Sequence, residues 1–258
     1  MRLTVHNVGH GSCISLIHEN GNVMLWDCGH TYGNRPSDFL PSLGRRTINR
    51  LFITNFDEDH ISDLPALRQN LNIEILHSNR SISKEQLKAL KLQSGPISSA
   101  MNSMLDMLNI YTGGAPEIPP AFPSVSFYTY CNKYLTDFDD TNNISLVTFV
   151  NCNGRNFVIP GDIEQPGWEN LLEQRSFCES LKTVHIFVAS HHGRENGYCP
   201  EVFEYCSPEL IIFSDSSIKH ATQEMASKYA SHASGARVNG ETRDVLSTRN
   251  DGEIWWDR

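Results

Sequence analysis

The feature that most constrains the fold of this chain is a pattern that occurs four times. In each case a short strand-like run is followed directly by acidic or histidine side chains. The pairs are "NVMLW" before Asp27, "RLFIT" before the segment from Asn55 to His60, "NFVIPG" before Asp162, and "TVHIFVAS" before His191 and His192. Loops at strand ends of α/β proteins lie side by side along one edge of a sheet. We therefore expect these four groups to converge on one site.

The rest of the chain also alternates between strand-like and helical segments. Runs rich in Val, Ile, Phe and Tyr recur in both halves, and helical spacing of apolar residues is found in residues 84–92, 97–108, 164–178 and 222–233. The pattern predicts an α/β fold with sheets covered by helices. The Pro-rich loop "GGAPEIPPAFPS" is too short to indicate a domain boundary, so we predict a single domain over residues 1–258.

The residue types in the four polar groups favour a divalent metal ion. Asp and His supply the oxygen and nitrogen donors that such ions bind, and the acidic run Asp57 to Asp59 would repel itself without a cation. The alternative is that Asp57 or Asp59 caps a helix beginning near His60. The coincidence of this run with Asp162 and the histidine pair favours metal ligands.

The charge and cysteine content of the chain limit the binding partners and the cellular location that we expect. The 258 residues carry a formal charge of −9, which argues against broad electrostatic binding of nucleic acid. The compact basic segment with Arg45, Arg46 and Arg50 is either a solvated loop or a guide for a nucleic-acid strand. Seven cysteines without a CxxC pair suit reduced thiols, and no run resembles a signal peptide or membrane span. We expect a cytoplasmic protein with no membrane partner, and the sequence names no protein partner.

Seven segments carry a family resemblance over nearly the whole chain: "HNVGHGSCISLI", "LWDCG", "TNFDEDHISDLPAL", "NNISLVTF", "IPGDIE", "VASHHG" and "TRNDGEIWW". In this order they resemble the metallo-β-lactamase-fold hydrolases, and more narrowly the C-terminal nuclease-like domain of bacterial competence DNA-uptake proteins. The resemblance implies a four-layer αββα sandwich with a metal centre at the rim between two β-sheets.

The family's HxHxDH metal motif falls on Asn55, Asp57, Asp59 and His60. Asp59 and His60 match the motif, Asp57 replaces its second histidine, and Asn55 stands in place of its first. The resemblance therefore implies that Asp59 and His60 bind the stronger metal, with Asp57 and Asn55 at a weaker neighbouring position.

The resemblance supplies the other site residues as well. Asp162 matches a carboxylate that bridges two ions, and His191 or His192 matches the final histidine ligand, of which we assign His191. Asp27 resembles a buried aspartate that orients a ligand without touching the metal. His220 lies where related sequences carry another histidine near the site; an exposed loop histidine is the alternative.

The implied reaction is hydrolysis of DNA phosphodiesters by a metal-bound hydroxide. One or two divalent ions, Zn²⁺ or Mn²⁺, are the expected cofactors, and oxygen donors at Asn55 and Asp57 favour Mn²⁺ for turnover. Asp59 is expected to be essential, and His192 or His220 to donate a proton to the leaving oxygen. The substrate is thus nucleic acid or a small phosphodiester. The alternatives are hydrolysis of a small ester, lactone or nucleotide, and a non-catalytic relative disabled by Asn55 and by the absence of the family's separate mid-chain histidine ligand.

Overall fold

The computed structural model describes residues 1–31, 33–112, 116–217 and 223–257. The strands are β1 (Arg2–Val5), β2 (Ile14–Ile17), β3 (Val23–Trp26), β4 (Thr47–Ile48), β5 (Arg50–Phe52), β6 (Asn72–Ile73), β7 (Leu76–His77), β8 (Val125–Tyr130), β9 (Val147–Cys152), β10 (Arg155–Ile159), β11 (Ile186–Val188), β12 (Leu210–Phe213), β13 (Ala236–Val238), β14 (Glu241–Arg243), β15 (Val245–Ser247) and β16 (Ile254–Asp257). The helices are α1 (Pro36–Ser42), α2 (Glu58–Ile61), α3 (Leu64–Asn70), α4 (Lys84–Leu92), α5 (Ser99–Ile110), α6 (Gln165–Leu172), α7 (Arg175–Leu181), α8 (Ala226–Ala230) and α9 (Thr248–Asp251).

Two large mixed sheets dominate the described part of the chain. The first has the order β16-β1-β2-β3-β5-β7 and the second the order β15-β12-β11-β10-β9-β8. Strands β3, β5 and β7 are parallel in the first sheet, as are β10, β11, β12 and β15 in the second. Strand β16 pairs antiparallel with β1, so the C-terminal strand adds to the sheet that the N-terminus begins.

The two sheets face each other across an apolar core, and helices cover their outer faces. Alternate side chains of a strand point to opposite faces, so Met24 and Trp26 of β3 pack between the sheets while Val23 and Leu25 pack against helices. Helices α1, α3, α4 and α5 cover the first sheet, and α6, α7 and α8 cover the second. The predicted four-layer αββα sandwich is confirmed.

Several predicted helices are shorter or interrupted. The helical pattern after Asp59 is divided into α2 and α3, because Pro65 has no N–H to continue the hydrogen-bond ladder and instead begins a new helix. The segment 164–178 likewise forms α6 and α7. The helix predicted over 222–233 is confined to α8 within the described residues, with Tyr229 buried, and residue 222 lies outside them.

No helix in the described ranges is both long enough and apolar enough to cross a membrane.

Candidate metal centre

The polar groups that follow β5, β10 and β11 meet at one edge of the two sheets. Asp59, His60, Asp162 and His192 each direct one ligand atom to a common point, and these four atoms all lie within 4.8 Å of one another. Asp59 is partly exposed and the other three side chains are buried. The edge is shared because the parallel strands of both sheets end there.

The interatomic distances fit one four-coordinate ion. His60 Nε2 lies 3.0 Å from Asp162 Oδ1, and His192 Nε2 lies 3.6 Å from the same oxygen. His192 Nε2 is also 3.2 Å from Asp59 Oδ2. Ligands arranged tetrahedrally around zinc at bond lengths near 2.0–2.1 Å lie roughly 3.3 Å apart. The four side chains therefore need little rearrangement to hold a metal ion.

Both histidines are held so that Nε2 faces the carboxylates. His192 Nδ1 donates to the Ser214 carbonyl oxygen at 2.8 Å, and His60 Nδ1 is 2.8 Å from Asp27 Oδ2. Neither Nε2 atom, although buried, forms a hydrogen bond of normal geometry with any described residue. An unprotonated Nε2 facing a carboxylate is repulsive, so either a proton or a cation must lie between them. A cation bound between these atoms would remove the repulsion, so the arrangement of the two histidines and the carboxylates fits a metal ion.

Asp27 orients His60 without reaching the common point. Its side chain is fully buried, and it accepts hydrogen bonds from the Thr54 backbone N–H at 2.7 Å and from Thr54 Oγ1 at 2.5 Å. With both carboxylate oxygens held by Thr54, Asp27 fixes the ring of His60. This is the outer contact that metal-binding histidines usually make.

Three of the seven described non-glycine residues with positive φ lie at this edge. Asp27, His191 and His192 have φ values of 59°, 49° and 56°, in the left-handed region that residues with a Cβ rarely adopt. Gly193 follows with φ 74°, and a Cβ there would lie 1.9 Å from the Phe213 ring. Such strain persists only where the surrounding structure enforces it, and it is commonly found at functional sites.

Charge coupling favours the protonated forms of His60 and His192. Burial lowers the pKa of His60, but Asp162 and Asp27 outweigh burial and raise it well above its usual value. Burial raises the pKa of Asp162, but His60 and His192 outweigh burial and hold it well below its usual range. The pKa of His192 is likewise raised, mainly by Asp162 acting against burial. A metal ion must displace these protons, so its affinity falls as the pH falls.

Asn55 and Asp57, predicted as ligands, do not join this group. Asn55 Oδ1 accepts the Asp57 backbone N–H at 2.8 Å, and Asn55 Nδ2 donates to Asn142 Oδ1 at 2.9 Å. Asp57 Oδ1 is ion-paired with Lys91 and accepts from Thr141 Oγ1 at 3.1 Å. Asn55 Oδ1 and Asp57 Oδ1 are therefore bonded to neighbouring protein groups, and the ammonium of Lys91 supplies the cation beside Asp57.

The histidine pair is arranged differently from the sequence assignment. His191 Nε2 lies 3.8 Å from Asp162 Oδ2 and its Nδ1 lies 3.4 Å from Glu164 Oε1, so this ring borders the group without belonging to it. His192 occupies the ligand position, which leaves it no free nitrogen for the predicted proton donation. His220, the other predicted catalytic residue, lies outside the described residues.

Two supporting residues were missed in the sequence. Ser214 directly follows β12 in "LIIFSD", so the same strand-then-polar order could have identified it. Its hydroxyl donates to the Gly11 carbonyl at 2.8 Å while its carbonyl holds His192. Thr54, the other, ends the run before Asn55 and carries no signal beyond its position.

The sequence matches no protein-family model, and it matches no curated protein. The structure is similar to that of Igni18, a metallo hydrolase from the archaeon Ignicoccus hospitalis, with 13% identity, complete coverage of both chains and a TM-score of 0.54. It is also similar to the metallo-β-lactamase-fold protein YhfI from Bacillus subtilis, with 12% identity, a TM-score of 0.52 and coverage of 99% of this chain and 98% of YhfI.

A third similar structure is CmlA, a diiron β-hydroxylase from Streptomyces venezuelae, with 12% identity and a TM-score of 0.57. The match covers 99% of this chain and 53% of CmlA, so this chain spans about half the length of that protein. Together the similarities show that the chain has the metallo-β-lactamase fold. Since the same fold serves hydrolases and a hydroxylase, the functional argument depends on the site.

Proposed function

We propose that the chain is a phosphodiester hydrolase that uses a single divalent metal ion held by Asp59, His60, Asp162 and His192. The observation that carries the proposal is the pair of buried histidine Nε2 atoms directed at two carboxylates. Two nitrogen and two oxygen donors suit Zn²⁺. The sequence-based preference for Mn²⁺ depended on Asn55 and Asp57, which lie outside this group, so we propose zinc as the resident ion.

The protein's own groups would prepare the site for an anionic substrate. When bound, a divalent ion lowers the pKa of a water molecule and polarises a phosphoryl oxygen. The two carboxylates of Asp59 and Asp162 balance the charge of such an ion, so the loaded centre does not repel a phosphate group. Asp59 is the partly exposed member, and its side chain marks the open side from which substrate approaches.

A small phosphodiester such as a nucleotide is the substrate we propose first, because of where the basic residues and the neighbouring cleft lie. Single-stranded DNA is the second candidate, because the sequence resembles the nuclease-like domain of competence proteins. The basic residues Arg45 and Arg46 lie with Asn22 and Asn49, which precede β3 and β5, whereas the site follows the other ends of these strands. The basic segment therefore does not border the centre, which favours the smaller substrate.

A cleft beside the site also favours a small substrate. It has a volume of about 250 Å³, and its lining includes Phe56, Asp57, Lys91, Pro96 and Met101. Because Phe56 and Asp57 immediately precede α2, the cleft adjoins the helix that carries Asp59 and His60. The space suits one modest leaving group better than a long polymer.

The activity test uses protein stripped by a chelator and then reloaded with Zn²⁺ or Mn²⁺. We expect either ion to raise cleavage of bis(4-nitrophenyl) phosphate by on the order of 100-fold or more over stripped protein, with zinc at least as effective as manganese. Single-stranded DNA and a cyclic dinucleotide serve as the two physiological probes, and a β-lactam, which we expect to remain intact, serves as the control. Absence of phosphodiester cleavage by fully metal-loaded protein would contradict the proposed function.

A further inference from the structure

The guanidinium group of Arg194 lies at the open side of the metal centre, where His10 separates it from the proposed ligand Asp59. Arg194 Nη2 is 2.8 Å from His10 Nε2, and the same nitrogen of His10 is 3.5 Å from Asp59 Oδ2. The rings of His10 and His192 stack obliquely, with their centroids 4.6 Å apart. His10 has a side-chain exposure of 36%, so the Arg194–His10 pair borders both the centre and solvent.

The turn that carries His10 is built into the site. The Ser12 backbone N–H donates to the Asp59 carbonyl at 3.1 Å, and a Cβ at Gly11 would lie 2.7 Å from that same oxygen. The Gly11 carbonyl accepts a hydrogen bond from Ser214, whose own carbonyl holds His192. The position of His10 is therefore fixed relative to two of the proposed ligands. Glycine permits this close approach at position 11, and Gly9 has a φ of 71° in the left-handed region, so each glycine of the turn "VGHGS" has a structural reason.

The tautomer of His10 follows from its partner. An arginine side chain can only donate hydrogen bonds, so His10 Nε2 accepts from Arg194 and the ring is neutral with its proton on Nδ1. Histidine carries no negative charge, so His10 does not balance the positive charge of Arg194. Within the described part of the chain, Arg194 forms no ion pair with a carboxylate, and its hydrogen bond to His10 uses one of its five N–H donors.

Arg194 is one of several described arginines that form no ion pair, and it differs from Arg45 and Arg46 in lying beside the metal centre. An arginine that stabilises the fold commonly pairs with a carboxylate, as Arg35 does with Asp63 at 2.7 Å. Arg194 instead contacts His10 beside the centre, with donors left over. Guanidinium groups with free donors bind phosphate oxygens in pairs, which a compact ammonium cannot do.

We propose that Arg194, positioned by His10, binds the non-bridging oxygens of a substrate phosphate group at the open side of the metal centre. The inference rests on the proposed function and assigns the group that recognises phosphate. His10 acts as a positioning residue, since it fixes the guanidinium through Nε2. Arg194 gives the acidic protein a local attraction for an anion that its overall charge does not provide.

The test measures binding of inorganic phosphate to zinc-loaded protein by calorimetry. We expect Arg194→Met to weaken phosphate binding by on the order of tenfold or more, with unchanged zinc content, because a charge-assisted hydrogen-bond pair is lost. Arg194→Lys should recover only part of this loss, because an ammonium cannot bind two oxygens in the same plane. The matched control is Arg175→Met, which removes an exposed arginine on α7 and should leave phosphate binding unchanged.

Two results would overturn the inference. One is phosphate binding by Arg194→Met at the wild-type affinity; the other is loss of zinc from this variant, which would mean that Arg194 supports the metal ligands instead. Turnover by the wild-type protein separates this inference from the proposed function. If wild type cleaves phosphodiesters while Arg194→Met binds phosphate normally, only the inference fails. If wild type is inactive but the variant loses phosphate affinity, the anion site stands and the proposed function fails.

Discussion

Replacing Asp162 by asparagine is expected to remove the metal ion and, with it, turnover. One oxygen of Asp162 lies within 3.6 Å of the Nε2 atoms of both His60 and His192, so it is central to the proposed ligand set. An amide is neutral and a much weaker ligand. Losing a residue that merely orients a ligand already costs 10–100-fold, so we expect metal affinity to fall by about 100-fold or more. A competition titration against a chromophoric chelator measures this loss.

The matched control is Asp63→Asn. Asp63 is equally buried, but its carboxylate accepts from Arg35 Nε at 2.9 Å and from the Ser37 backbone N–H at 2.8 Å, outside the metal centre. This variant should lose stability and keep its metal. Asn55→Ala should also keep its metal, since Asn55 bonds to protein neighbours. Retention of wild-type metal affinity by Asp162→Asn would show that the centre is assigned to the wrong residues.

The second large effect is a difference in zinc affinity between variants of Asp57 and Asp59, two acids separated by one residue. Asp59→Asn should lower zinc affinity by about 100-fold and abolish phosphodiester cleavage, because Asp59 Oδ2 lies 3.2 Å from His192 Nε2. Asp57→Asn should keep zinc affinity within about threefold of wild type, because it breaks a partly exposed ion pair with Lys91 worth about 1 kcal/mol or less.

The comparison of Asp57→Asn with Asp59→Asn tests which acid binds zinc, because both variants make the same chemical change at positions only two residues apart. Zinc content after dialysis and the cleavage rate are measured on both proteins side by side. Equal loss of zinc from both variants would restore Asp57 as a ligand, as the sequence resemblance implies. Loss from Asp57→Asn alone would exclude the single-ion centre altogether.

Much of the fold was predictable because strand-like runs and their polar ends are local in sequence. Asp59, His60 and Asp162 could be expected to meet because each follows a strand, and parallel strands end at a common edge. Pro65 also indicated the break between α2 and α3, although the apolar spacing alone predicted one continuous helix.

The rest of the site depends on contacts between distant residues. Asp57 Oδ1 meets Lys91, 34 residues away, and the amide nitrogen of Asn55 donates to Asn142, 87 residues away, so no local pattern shows these partners. His191 and His192 are neighbours of the same type, and only their left-handed backbone and the Ser214 carbonyl decide which ring reaches the centre. Tertiary context of this kind lies outside what periodicity and spacing describe.

The central claim is that one metal ion is held by one set of four side chains, and the count of bound zinc tests it most directly. Native mass spectrometry of wild-type protein dialysed against a slight excess of zinc gives the number of ions in each folded chain. One zinc per chain is the predicted result, and the ion should be lost on the Asp59→Asn substitution. Two tightly bound zinc ions per chain, or none, would contradict the claim.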